Sequence, residues 1–108
     1  MNPEYREALA DAAAHYRSEL TYEQTRALAC ARADLYNGPD PDAEYGFTRA
    51  CEILRAWAES VEDVRETVDV DLGPNSDGNP CEYESLVTVV EARAIVRAIV
   101  GAELAPYL

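Results

Sequence analysis

The sequence predicts a mainly α-helical domain, a small bundle of three to four helices with at most one short β-hairpin. Three observations predict it. Apolar residues recur at helical spacing in four segments. Helix start signals, a capping side chain followed by Pro or by an acid, precede three of them. One short stretch, residues 68–72, alternates apolar and acidic residues, which is the period of a strand. The 108 residues fit one domain, 1–108. A hydrophobic content of 48% supplies a core and excludes a disordered acidic tail.

A first helix is expected over residues 2–19. Asn2 is a good cap, Pro3 suits the first helical position, and Glu4 and Glu7 favour the positive helix end. Tyr5, Leu9, Ala12, Tyr16 and Leu20 form its apolar stripe. Thr21 opens a second helix, because Thr21-Tyr22-Glu23-Gln24 has the capping-box pattern. Leu28, Ala31 and Leu35 share one face, and Asn37-Gly38-Pro39 ends it. So short a link predicts that these two helices pair with each other.

Asp40-Pro41-Asp42 repeats the start signal, and Phe47, Cys51, Leu54, Trp57, Ala58 and Val61 follow at helical spacing. Gly46 inside that pattern points to a later start, with Thr48 as the cap. Val68-Asp69-Val70-Asp71-Leu72 reads as a half-buried strand, and residues 73–80 are turn chemistry almost throughout. The β-branched run to Val90 favours a second strand over residues 83–90. The alternative is one long helix from Glu82 to Glu103. In either case residues 91–104 are expected to be helical, with Gly101 and Pro106 marking the fraying end.

The net charge is −12, and all nine basic residues are Arg. Such a balance steers a chain toward basic partners. It excludes direct nucleic-acid binding, which needs clustered positive charge, and docking on an anionic membrane. The most apolar stretch, residues 86–100, is broken by Glu91, Arg93 and Arg97 and predicts no membrane span. Met1-Asn2-Pro3-Glu4 has neither the basic nor the apolar part of a secretory signal, so a cytoplasmic location is expected. Cys30, Cys51 and Cys81 lack CxxC spacing and read as reduced thiols.

No catalytic, cofactor or metal motif stands out, and the chain is not expected to be an enzyme. His15 is the single histidine, on a helix with no motif-placed nucleophile. Asn75, Asp77, Gly78 and Glu84 fit part of a calcium-loop pattern, but Gly73 stands where the first carboxylate belongs. A zinc site from His15 and the cysteines has no ligand spacing behind it. Residues 20–24 look like the opening of a helix-turn-helix, but that segment lacks the positive surplus such a motif needs.

Two features carry the functional expectations. Between residues 59 and 84, nine acids oppose Arg65 alone, which concentrates −8 of the −12 there. Glu59, Glu62, Asp63, Glu66, Asp69 and Asp71 are the candidate contacts to a basic protein partner. The second feature is the breadth of the C-terminal apolar face. Val96, Ile99, Val100 and Leu104 are the candidate interface of a homodimer.

Residues 52–108 resemble small acidic proteins of actinobacterial phages. The resemblance lies in Leu54-Arg55-Ala56-Trp57-Ala58, in Val68-Asp69-Val70-Asp71-Leu72, and in Ile95-Val96-Arg97-Ala98-Ile99-Val100 with its continuation to Leu108. It implies expression in a bacterial host cytoplasm and a role as an inhibitor of host machinery. One such role is covering a basic, nucleic-acid-binding surface of a host or defence protein. It carries over no activity and no site residues.

Overall fold

The computed structural model describes residues 3–71, 78 and 83–108; for residues 68, 70, 71, 83 and 84 it describes strand positions only. The elements run α1 (Pro3–Ser18), α2 (Tyr22–Asn37), α3 (Phe47–Ser60), β1 (Val64–Asp71), β2 (Tyr83–Val90) and α4 (Ala92–Val100), followed by a 3₁₀ turn at Ala105–Tyr107. The fold is mainly α with one antiparallel hairpin.

Local chemistry explains most boundaries. The Thr21 hydroxyl accepts from the Gln24 amide at 3.2 Å, and the Gln24 side chain accepts from the Thr21 amide at 3.0 Å. This is the expected capping box, and it starts α2 at Tyr22. Gly38, at φ 84°, ends α2 by donating to the Asp34 carbonyl.

The start of α3 differs from expectation. Asp40 caps its own turn instead: its carboxylate accepts from the Asp42 amide at 2.9 Å and its carbonyl from Ala43. The helix begins at Phe47, with Gly46 and not Thr48 as the N-cap residue.

The hairpin forms, which excludes the long helix from Glu82. Its register runs from Val64↔Val90 to Asp71↔Tyr83. β1 starts before the alternating stretch, because Val64 and Thr67 find β-branched partners in Val90 and Val87. Leu72 lies outside the described residues.

α4 is shorter than expected. Gly101, at φ 93° and ψ 153°, stops it after Val100. That backbone region is open essentially to glycine alone. Leu104 is buried from the turn that follows, not from a helix.

The core forms around α4. Ile95, Val96, Ile99 and Val100 are buried together with Leu104, Val90 and the α3 residues Ile53, Leu54 and Trp57. α1 packs on α4 and on the hairpin root, while α2 packs on α3. The expected pairing of α1 with α2 is therefore replaced. The buried residues of α1 are Ala8, Ala12 and Ala13, and those of α2 are Ala27, Cys30 and Ala31. Two such faces offer each other little apolar area, whereas α3 and α4 bring Ile, Leu, Val and Trp.

Both ends of α4 are satisfied by distant side chains. Arg32 of α2 donates to the Ile99 carbonyl at 2.6 Å and to the Val100 carbonyl at 3.3 Å. Asp63 accepts from the Ala92 amide at 2.7 Å. A cation at the C-terminal end and an anion at the N-terminal end both suit the helix dipole.

The molecule is elongated. Its radius of gyration is 19.2 Å and its long axis 71 Å, against about 13 Å for the radius of a compact chain of this size. Exposure along the hairpin rises from its root outward. Val90 is fully buried, Thr88 is half-buried, and Leu86 is exposed.

Candidate interaction surface

Direct pairing puts Arg65 beside Val89, Thr67 beside Val87 and Asp69 beside Ser85, all on one face of the ribbon. All six residues are exposed. Val64, Glu66, Leu86, Thr88 and Val90 occupy the opposite face, whose root turns into the core. Val87 is 63% exposed, Leu86 48% and Val89 42%. The hairpin thus presents aliphatic side chains to solvent on both faces, interleaved with acids. A two-stranded ribbon is marginal in water unless something covers it.

The six candidate acids do not form one face. Glu59 lies in the last turn of α3, and Glu62 and Asp63 lie in the link to β1. Glu66 is half-buried on the core-facing side, while Asp69 points to the opposite side. Of Asp71 only the strand pairing is described. Two of the six are engaged within the chain: Asp63 caps α4, and Asp69 accepts from the Ser85 hydroxyl at 2.6 Å. A run of acids in sequence became a two-sided distribution because strand residues alternate faces.

Val96, Ile99, Val100 and Leu104 were expected at a dimer contact. They are buried in the chain's own core, Ile99 at 1% exposure. α1, α3 and the hairpin root cover the broad apolar face, so a dimer through these residues would require the domain to open. Among the described residues, the exposed large aliphatic side chains lie on the hairpin instead, while the exposed Tyr22 and Tyr36 lie on α2 and Tyr107 in the C-terminal turn. Sequence reading missed Leu86, Val87 and Val89 as surface residues, although their β-branched run in an isolated two-stranded context was the available signal.

The calcium-loop pattern falls almost wholly outside the described residues, as does Cys81. Among the described residues, no group of three His, Cys, Asp or Glu side chains could hold a metal ion. His15 is exposed, with its imidazole 3.8 Å from Glu19. Cys30 and Cys51 are buried free thiols, and burial pushes the Cys51 thiol up. Among the described residues, no helix is long and apolar enough to cross a membrane.

On the helical body, Arg26 is paired with Glu44 at 2.9 Å and Arg49 with Glu52 at 3.3 Å. The hydrogen bond and charge of Glu44 hold the Arg26 guanidinium more firmly protonated, and those of Glu103 raise the Tyr36 phenol. Compared with known proteins, the chain matches no family model, no curated protein and no solved structure.

Proposed function

We propose that this chain is an acidic protein-binding module whose contact element is the β1–β2 hairpin. The observation that carries the reading is the exposure of Leu86, Val87 and Val89 on a ribbon flanked by Glu62, Glu66 and Asp69. Exposed apolar side chains supply the desolvated centre an interface needs, and acids around them set on-rate and partner sign. The partner is a protein with a basic surface, of the kind that binds nucleic acid. The role is to occupy that surface, as an inhibitor in a bacterial cytoplasm does.

The test is affinity capture from bacterial lysate at two salt concentrations, with variants that separate the hairpin from bulk charge. The triple variant Glu62→Arg, Glu66→Arg, Asp69→Arg should lose the captured partner. Glu7→Arg, Asp11→Arg, Glu23→Arg changes net charge equally and should keep it. Val87→Ser with Val89→Ser should also lose it. Duplex DNA should displace the partner, and binding should weaken with salt as screening shortens to about 8 Å at physiological ionic strength. Equal capture by both triple variants would refute the reading.

A further inference from the structure

A groove lies between α3, α4 and the C-terminal turn. It is open to solvent and has a volume of about 610 Å³, within the range of about 300–1,000 Å³ typical of small-molecule sites. Its wall includes Val96, Ala102, Pro106 and Leu108, and three arginines line it: Arg55, Arg93 and Arg97. The chain has nine arginines and a charge of −12, so this cluster runs against the background of the whole surface. Glu59 is the one acid in the lining.

Arg97 lies in the last turn of α4, where a cation suits the helix dipole. Among the described residues, the side chains of Arg93 and Arg97 make no ion pair and no hydrogen bond, unlike those of Arg26, Arg32 and Arg49. Arg93 stands in the first turn of α4, where the helix dipole disfavours a cation, with Asp63 and Glu91 nearby at that helix end. Arg97 follows one turn later on the same face. Arg55 donates to the Tyr107 carbonyl at 3.2 Å, which fixes it at the rim. The geometry combines an apolar wall with forked donors.

We infer that this groove binds an amphipathic organic anion, a carboxylate or phosphate monoester head on an apolar body, with Arg93 and Arg97 on the head and Val96 and Leu108 against the body. The chain's overall charge repels anions at long range, so the head alone does not suffice. The apolar body supplies the remaining attraction, and the local arginines act within a screening length. The inference is independent of the hairpin's role.

The experiment is a titration of the isotope-labelled full chain, read by amide chemical shifts. Octanoate and octyl phosphate, both kept below their micelle concentrations, are the probes. Saturable shifts are expected at residues 55, 58, 96, 97 and 102, and the tighter of the two probes identifies the head group. Octanol, acetate and inorganic phosphate should bind about tenfold more weakly or worse. Arg93→Gln with Arg97→Gln should weaken the better probe by about tenfold or more. Arg6→Gln with Arg17→Gln should leave it unchanged. Arg93 and Arg97 are exposed, so the variant should keep the parent's circular dichroism and melting temperature, and that measurement accompanies the titration. Octanol binding as well as octanoate, bare anions binding as well as either probe, an unaffected double variant, or shifts confined to the hairpin would each overturn the inference.

Discussion

At the scale of single residues, two positions test the account most directly. Gly101 holds φ 93° and ψ 153°, and a Cβ there would meet nothing closer than the Arg32 guanidinium at 3.9 Å. Space is available, so the cost of Gly101→Ala is conformational, about 1–3 kcal/mol. Thermal melting should show it as a drop of roughly 4–8 °C per kcal/mol. Cys51 is the second position. Its burial raises the thiol and starves it of reactive thiolate. Iodoacetamide should alkylate Cys51 far more slowly in the native chain than in urea, as followed by peptide mass spectrometry. Rapid native labelling would mean that α3 is not packed as described.

At the scale of elements, the sequence was legible wherever the signal is local. The Thr21–Gln24 box, the Gly38 stop and the two strand patterns all act within a few residues, and all appear. The Asp40-Pro41 signal is just as local, but the same carboxylate can cap a helix or a turn, and Gly46 tips the choice. What covers α4 was not legible, since α1 and the hairpin root reach it from distant parts of the chain. That misplaced the dimer residues. Ile99→Asp should therefore unfold the protein, with loss of the circular dichroism signal, and not give a folded monomer. Arg32 and Asp63 were likewise unreadable as caps. Arg32→Ala should cost about 1–2 kcal/mol and Asp63→Ala about 1 kcal/mol, measured by urea denaturation. If neither substitution shifts the midpoint, the two contacts contribute nothing to α4.

At the scale of the whole molecule, the clustered acids show why proximity in sequence is a poor guide to a surface. Alternation sent Glu66 and Asp69 to opposite sides, and internal hydrogen bonds engaged Asp63 and Asp69. The candidate surface that emerged is the hairpin with its exposed aliphatic residues. The arginine-lined groove, drawn from α3, α4 and the chain beyond, had no sequence signature at all.

The pairing of α1 with α4 also sets an order of events. α4 has nine residues, too few to persist alone in water, and its two ends wait for Asp63 and Arg32. α1 is the earliest described helix to leave the ribosome, yet the apolar face it needs is in the last one. During synthesis its alanine face is left without that partner while α2, α3 and the hairpin emerge. Completion of the core is thus a late, non-local closure, and a chain halted before residue 92 would lack the element around which the rest is packed.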